Sequence, residues 1–373
     1  PMSRTGRRVT VDTGDFYLPE NFAPLRPVGH DSFGPSYCFR SDDGTELVVQ
    51  KLSMFDLPTA RSTWLDLRLF QLLDHENICT ILDVLPLDPD GPNSVYVTRS
   101  FHPVTLHKIM KSGQTLPEPG IQYLIYQILC ALKYLDSAGV MCSDLTPGTV
   151  LVNRDFELKL TLIGFQSRVR FDDALNSDTK LMHQTVPSLW YSPPEILMCR
   201  EDIPRCPANV WSAGCILSEL ILREPLFPGK NVVNQLVLIA STFVPSDEEL
   251  EAIGGHEKAR GMIRFIKSKA RPDSGRTAAL SKAPANALAL IQQMLQCSPS
   301  QRCTPDVALR HPYLTEMFDE DDLVVAPGPL NQADLQGDGD ALEAISEQIR
   351  HGAASFQEDR TTRVAAWTAG ASD

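Results

Sequence analysis

The spacing of apolar and polar residues changes character along the chain. Before residue 100, apolar residues fall in short runs of strand length, as in Glu46–Ser53 and residues 95–99, with one stretch at helical spacing over residues 59–73. After residue 100, residues 120–135 are apolar on most faces, which is typical of a buried helix. Gly139 follows at the position of a helix-terminating glycine. The pattern predicts an α+β protein with strands first and helices later.

Length, charge and cysteine content narrow the class of protein. A chain of 373 residues exceeds the size at which one core stops growing, so two lobes are expected. The net charge of -13 argues against nucleic acid as a partner and favours basic partners. The nine cysteines contain no C-x-x-C pair, no secretory segment is recognisable, and no apolar run reaches the roughly 18 residues of a membrane helix. We therefore expect reduced thiols and a cytoplasmic or nuclear location, away from membranes.

Residues 142–164 contain the chemistry on which a functional interpretation depends. They read Cys-Ser-Asp-Leu-Thr-Pro-Gly-Thr, then two strand-like runs, then Leu162-Ile163-Gly164. This resembles the catalytic segment of a protein kinase, in which H-R-D-L-x-x-x-N precedes D-F-G. The resemblance implies a two-lobed kinase fold, with a small antiparallel sheet lobe and a larger helical lobe. It also implies that Asp144 stands at the position of the catalytic base.

The same resemblance implies that the metal site is lost. In kinases the Asn and the second Asp of these motifs hold magnesium. Thr149 and Leu162 stand at those positions. Leucine has no oxygen for a cation that demands near-ideal octahedral oxygen coordination. We expect a kinase scaffold that takes no cofactor.

The glycine-rich loop is only partly kept. Gly29 and Gly34 remain of the G-x-G-x-x-G pattern, and the middle glycine is Asp31. A carboxylate at that position would repel phosphates. Gly29 and Gly34 are therefore weak nucleotide-site candidates, and an ordinary turn between two strands is the alternative.

The position of the phosphate-pairing lysine falls on Gln50. Lys51 is its neighbour, but a shift of one residue on a strand turns a side chain to the opposite face. Lys51 is a weak nucleotide-site candidate, and we expect a solvated surface lysine. Asp66 stands where the kinase Glu would pair with that lysine, and we expect a helix-face acid whose partner is gone.

Two residues are candidates for the gatekeeper position, which lies at the back of the adenine pocket in kinases. Ungapped alignment places Arg99 at the gatekeeper position, and a slip of one residue places Thr98 there. The adenine-contacting Ala of kinases is the larger Val48.

Over about residues 18–325 the resemblance is closest to the stress-activated MAP kinases that carry a Thr-Gly-Tyr switch. It includes an insert near residues 236–284 that marks the MAP kinase group. The matching stretches are residues 52–53, 75–78, 82–84, 124–129, 132–134, 152–159 and 226–229.

The residues that differ from the family pattern lie mostly at the catalytic and activation positions. The Thr-Gly-Tyr switch falls on residues 183–185 (His-Gln-Thr), which leaves Thr185 as the one acceptor hydroxyl. Ser143 replaces the Arg beside the catalytic Asp, Thr146 replaces the Lys that contacts the substrate phosphate, and Asn209 replaces the Asp that props the catalytic loop. Selection for a non-catalytic role and drift under a fold constraint both explain this loss.

One structural pair of the family is kept. Residues 190–195 (Trp-Tyr-Ser-Pro-Pro-Glu) match the end of the kinase activation segment, and Arg302 stands where kinases place the Arg that pairs with its Glu. The resemblance therefore implies a buried salt bridge between Glu195 and Arg302.

A docking surface of the family is also matched. Asp319, Asp321 and Asp322 fall on the carboxylate positions of the acidic patch, and Ile109 matches the adjacent apolar groove. Gln114 matches a second groove position if Gly113 is a one-residue insertion. The alternative is a solvated acidic run that leads into a disordered tail.

These observations predict four segments: a flexible N-terminal segment over residues 1–17, an N-lobe over 18–102, a C-lobe over 103–325, and a partly disordered C-terminal extension over 326–373. Within the extension, residues 341–349 are amphipathic. The predicted function is a catalytically inactive MAP kinase homologue, a monomer that acts by docking, scaffolding or competition in a MAP kinase pathway. Its expected partners are pathway proteins that carry basic and hydrophobic docking peptides. The alternative is a divergent Ser/Thr kinase that uses ATP, magnesium and Asp144.

Overall fold

In the computed structural model, the described residues are 6–31, 34–54, 56–85, 94–102, 104–140, 142, 145–161, 186–198, 205–243, 246, 265–266, 268–270, 274–330 and 349. Contacts divide the chain into two compact units. The N-terminal unit comprises Pro1–Pro103, Thr161–Ser167 and Leu330–Asp373, and the C-terminal unit comprises Val104–Leu160 and Arg168–Pro329.

Within the described ranges up to Ser100, the N-terminal unit consists of strands and one helix. Its helix, α1 (Leu57–Leu72), begins at Asp56, whose carboxylate accepts a hydrogen bond from the backbone N–H of Thr59. The strands are β1 (Gly6–Val11), β2 (Gly14–Pro19), β3 (Phe22–Asp31), β4 (Gly34–Ser41), β5 (Glu46–Ser53), β6 (Ile78–Cys79), β7 (Asp83–Leu85) and β8 (Ser94–Ser100).

Five of these strands form one antiparallel sheet in the order β3-β4-β5-β8-β7. Because side chains alternate along a strand, its two faces carry different residues. Leu47, Val49 and Tyr96 lie on one face, in a buried aromatic cluster with Phe16 and Leu18 of β2. We call this the hairpin face.

The predicted flexibility of residues 1–17 is wrong for the part that the structure describes. β1 and β2 pair as a hairpin, and Phe16 packs edge-on against Phe39 with ring centroids 5.6 Å apart. The arginines at the start of the chain suggested a solvated segment. The alternation that ends in Phe16 and Leu18, both 0% exposed, supplies enough apolar area to fix the hairpin on the sheet.

The C-terminal unit is mostly helical. Three short strands, β9 (Val104–Thr105), β10 (Val150–Val152) and β11 (Leu158–Thr161), pair antiparallel with β10 in the centre. Its helices are α2 (Leu106–Lys111), α3 (Glu118–Ser137), α4 (Val186–Leu189), α5 (Pro194–Leu197), α6 (Arg205–Leu222), α7 (Val232–Phe243), α8 (Ser274–Leu280), α9 (Ala285–Met294) and α10 (Pro305–Leu309), with short 3-10 turns at Pro299–Gln301 and Pro312–Leu314. A sheet-rich unit and a helical unit together confirm the α+β prediction.

Helices α3 and α6 contact each other in the middle of this unit. Leu124, Ile128 and Leu135 of α3 are fully buried, as the apolar pattern predicted. The chain turns after Ala138, and Gly139 adopts φ 67°, the left-handed conformation expected of a helix-ending glycine.

Of the predicted amphipathic segment at 341–349, the structure describes Ile349, which is fully buried; the rest lies outside the described residues. Among the described residues, no helix combines the length and apolarity needed to cross a bilayer.

Candidate functional site

Buried residues cover the face of the sheet opposite the hairpin. The cross-strand register joins Cys38 to Val48, Val48 to Arg99, and Gln50 to Val97. Directly opposed residues in an antiparallel sheet share a face, so these five lie together. We call this the Gln50 face. It corresponds to the face on which the sequence placed the adenine and phosphate contacts.

Gln50 itself is 0% exposed, and Asp66 of α1 is 2% exposed. Helix α1 packs against β5, and each of these two residues makes an interaction. The expectation of a helix-face acid at Asp66 is therefore wrong, because the residue is buried. A carboxylate in the interior must be hydrogen-bonded or paired, since an isolated buried charge is too costly.

Lys51 lies on the hairpin face. Its ammonium Nζ donates to the carbonyl oxygen of Asp15 at 3.2 Å and lies 5.8 Å from the centre of the Tyr96 ring. Tyr96 is its cross-strand partner. The structure thus turns Lys51 away from Val48 and Gln50, towards the N-terminal hairpin.

The register also separates the two gatekeeper alternatives. Thr98 pairs with Val49, and its hydroxyl donates to the carbonyl oxygen of Asp83 at 3.2 Å. Arg99 pairs with Val48 and is 7% exposed. Arg99 therefore holds the position beside the Val48 side chain on the Gln50 face.

Gly34 is required by strand packing. Its φ is +143°, and a Cβ built on it would lie 2.1 Å from the carbonyl oxygen of Lys51. Gly29 lies within β3 opposite Ser36, and Asp31 ends the strand opposite Gly34. A close approach of two strands accounts for Gly34 without any phosphate.

The loop after Asp144 is held by its own hydroxyl groups. Asp144 lies outside the described residues, and so does Ser143. Thr149 Oγ1 donates to the carbonyl oxygen of Thr146 and accepts from its N–H, both at 3.0 Å. Thr146 Oγ1 accepts from the N–H of Gly148 at 3.2 Å. The residue in the magnesium-binding Asn position thus closes a local turn.

The hairpin of β10 and β11 is fastened to α3. The side chain of Gln127 donates to the carbonyl oxygen of Phe156 at 2.9 Å and accepts from the N–H of Leu158 at 2.8 Å. Phe156 takes φ 62° in the turn. The hairpin expected before the D-F-G position is therefore present, while Leu162-Ile163-Gly164 and residues 183–185, including Thr185, lie outside the described residues.

Glu195 and Arg302 form the implied ion pair. Arg302 Nη1 and Nη2 donate to the two carboxylate oxygens at 2.6 and 2.7 Å, and both side chains are 0% exposed. Arg302 also donates to the carbonyl oxygens of Gln296 and Pro207 at 2.7 and 2.8 Å. With a further bond from Nη2 to the carbonyl oxygen of Cys297 at 3.2 Å, all five guanidinium N–H groups of Arg302 are used. Such extra hydrogen bonds are the condition for a buried pair to hold.

Sequence reasoning missed a second buried contact. The hydroxyl of Tyr191 donates to Glu219 Oε2 of α6 at 2.5 Å. Burial raises the pKa of Glu219, and burial, with the Glu219 charge beside it, raises the pKa of Tyr191. A polar residue within an apolar helix pattern was the available signal.

The acidic segment at 319–322 is anchored to α3. Tyr126 donates from its hydroxyl to Asp322 Oδ2 at 3.0 Å, and the N–H of Asp319 donates back to that hydroxyl at 3.1 Å. Burial raises the pKa of Tyr126. Asp319 and Asp321 are exposed, whereas Asp322 is half-buried. At Asp322, the acidic segment is therefore bonded to the folded unit and is not a solvated tail.

A second anchor lies beside it. Arg310 Nη1 pairs with Glu320 Oε1 at 2.7 Å, and its guanidinium lies 5.0 Å from the centre of the Phe318 ring. Asp306 pairs with Lys133 of α3 and with Arg310, and the Lys133 hydrogen bond foremost lowers the pKa of Asp306. These pairs fix the backbone that presents Asp319 and Asp321.

The two groove residues lie at the end of α2. Ile109 is half-buried, and its carbonyl oxygen accepts from the Ser112 hydroxyl at 2.7 Å. Gly113 turns the chain with φ 76°, and Gln114 is exposed after it. The positive φ fits the interpretation of Gly113 as an inserted turn residue.

No cluster of three or more His, Cys, Asp or Glu that could hold a metal occurs within the described ranges.

A strand-rich unit with one helix, followed by a helical unit with a buried Glu–Arg pair, defines a protein kinase fold, and residues 22–314 match the protein kinase domain family. Mitogen-activated protein kinase 6 of Oryza sativa subsp. japonica is 32% identical over 362 residues, which cover 95% of this chain and 93% of that protein. Mitogen-activated protein kinase 4 of Arabidopsis thaliana is 34% identical over 313 residues, covering 83% and 80%. Mitogen-activated protein kinase 5 of Oryza sativa subsp. indica is 36% identical over 303 residues, covering 79% of each. The chain belongs to the MAP kinase family.

Proposed function

We propose that this protein is a catalytically inactive member of the MAP kinase family, descended from the stress-activated group, that acts by docking to MAP kinase pathway proteins in the cytoplasm or nucleus. The observation that carries the proposal is the placement of Gln50 and Lys51. Gln50 is fully buried on the face where kinases hold the phosphate-pairing lysine, and Lys51 is bonded to Asp15 on the other face.

The positions that bind magnesium in kinases have also lost their ligands. Magnesium and the lysine supply most of the electrostatic stabilisation of phosphoryl transfer. Leu162 offers no oxygen, and the Thr149 hydroxyl is bonded within its own turn. Two independent sources of stabilisation are therefore missing together, which leaves Asp144 without a reaction to serve.

The positive part of the proposal is docking. Asp319 and Asp321 are exposed carboxylates on a backbone that Tyr126 and Arg310 hold in place. A peptide with two or three basic residues followed by spaced apolar residues would pair with these acids and place an apolar side chain at Ile109. Single exposed ion pairs contribute little, so several contacts are needed and micromolar affinity is expected.

Calorimetry at two ionic strengths tests docking. The double variant Asp319→Asn/Asp321→Asn should lose peptide binding and its salt dependence, because the screened charges are gone. Ile109→Ala should weaken binding without changing the salt dependence. Asp12→Asn, an exposed acid of the N-terminal unit, is the matched control and should bind as the wild type does. Equal binding by the wild type and the double variant would contradict docking.

A further inference from the structure

Arg99 is a buried arginine, and no counter-charge for it is found among the residues that the structure describes. It is 7% exposed, and its Nε is sealed from solvent without a hydrogen-bond partner among the described residues. Because Nε is sealed, an incoming group would have to bind at the two terminal nitrogens. A guanidinium stays charged at any ordinary pH, so it cannot relieve its burial by losing a proton.

Two carboxylates of the same unit, Glu46 and Asp66, are engaged elsewhere. Glu46 lies on the Gln50 face, two residues before Val48, and accepts hydrogen bonds from Arg26 at 2.6 Å and Arg40 at 2.9 Å. The Arg40 hydrogen bond foremost lowers the pKa of Glu46. The buried Asp66 has an interaction of its own. Glu46 is thus already paired with two arginines of this face, Arg26 and Arg40.

Arg99 also lies near the position from which a cation has been lost. Gln50 pairs with Val97 and Arg99 with Val48, so Gln50 and Arg99 are diagonal neighbours on one face. Diagonal neighbours in an antiparallel pair lie roughly 7–8 Å apart. The positive charge absent from β5 is present on β8, one strand across the sheet.

We infer that Arg99 anchors an oxyanion site on the Gln50 face, which binds a phosphate group without any metal ion. The planar guanidinium offers two parallel N–H donors that match phosphate oxygens. The small exposed fraction of Arg99 suits a compact anion. The group could come from free phosphate or from the phosphate tail of a nucleotide. The site does not depend on the docking function.

Thermal unfolding of the full chain with EDTA present, at constant ionic strength, tests the site. Titration with sodium phosphate should raise the wild-type Tm by a few degrees with saturation, since a ligand that binds the folded state stabilises it. Arg99→Met should show no response, and its Tm in phosphate-free buffer should exceed that of the wild type. Arg99→Lys, which keeps the charge and loses the fork, should respond more weakly. Arg7→Met, which removes an exposed arginine of the N-terminal hairpin, is the control and should respond as the wild type does.

Phosphorus NMR gives a readout that does not depend on stability. The phosphate line should broaden with the wild-type protein and stay sharp with Arg99→Met. A parallel titration with ATP in EDTA identifies the source: a larger, Arg99-dependent shift than that of phosphate indicates a nucleotide, and an equal one indicates free phosphate. A phosphate response that survives in Arg99→Met, or a wild type without any response, would overturn the inference.

Discussion

Arg302 and Arg99 are buried to nearly the same extent, at 6% and 7% exposed, and the two units treat them in opposite ways. In the C-terminal unit, Arg302 is held bidentately by Glu195 and donates to backbone carbonyl oxygens. In the N-terminal unit, the Nε of Arg99 is sealed without a partner among the described residues. A buried charge with all its bonds made supports the fold, whereas one without a counter-charge lowers stability until a ligand supplies it.

The largest expected effect comes from breaking the pair in the C-terminal unit. Glu195→Gln should lower the free energy of unfolding by about 3–5 kcal/mol, because it leaves the Arg302 charge buried without a counter-charge. Urea unfolding measures this. The double variant Glu195→Gln/Arg302→Met should lose less stability than Glu195→Gln alone. Substitutions at the surface change the free energy of unfolding by only about 0.5 kcal/mol, so a Glu195→Gln variant within about 1 kcal/mol of the wild type would contradict the account.

The next effect tests the packing of the N-terminal sheet. Gly34→Ala should cost about 3 kcal/mol, because φ is +143° and the new Cβ would lie 2.1 Å from the Lys51 carbonyl oxygen. Gly44→Ala is the matched control, with φ +88° and open space, and should cost only about 1 kcal/mol. Equal losses in the two variants would show that strand approach is not what requires Gly34.

A change of opposite sign is expected at Arg99. Arg99→Met should raise the free energy of unfolding in phosphate-free buffer by about 2 kcal/mol, since a buried polar group without a partner costs this order. Urea unfolding beside Glu195→Gln gives the direct contrast between the two arginines. A loss of stability would show that Arg99 has a structural role instead.

The smallest effect separates the acids of the docking segment. Asp322→Ala should cost about 1 kcal/mol, because the Tyr126 hydroxyl loses its carboxylate acceptor and keeps only the longer contact to the Asp319 carbonyl oxygen at 3.3 Å. Asp321→Ala should stay within about 0.5 kcal/mol, since Asp321 is exposed. Thermal unfolding of the pair checks this, and identical curves would remove Asp322 from the anchor.

Much of this arrangement was predictable from the sequence. The helical spacing at 59–73 and 120–135 predicted α1 and α3 to within two residues at most ends. The Glu195–Arg302 pair followed from the resemblance to the kinase family. Gly139 took the conformation that its place after a helix predicted.

What was missed depends on tertiary contacts. The charges at the start of the chain concealed the alternation that buries Phe16 and Leu18. The burial of Asp66 follows from α1 packing against β5, which spacing alone does not reveal. Tyr126 and Asp322 lie 196 residues apart, beyond the reach of any local pattern.

The central claim, that the chain has lost magnesium-assisted nucleotide chemistry, is tested most directly by thermal unfolding with ATP in EDTA and in magnesium. We predict no stabilisation that requires magnesium; any rise with ATP in EDTA should be unchanged by the metal and absent in Arg99→Met. For scale, a ligand at about 100 times its Kd adds roughly 2.7 kcal/mol. A rise of several degrees that appears only with magnesium would contradict the claim.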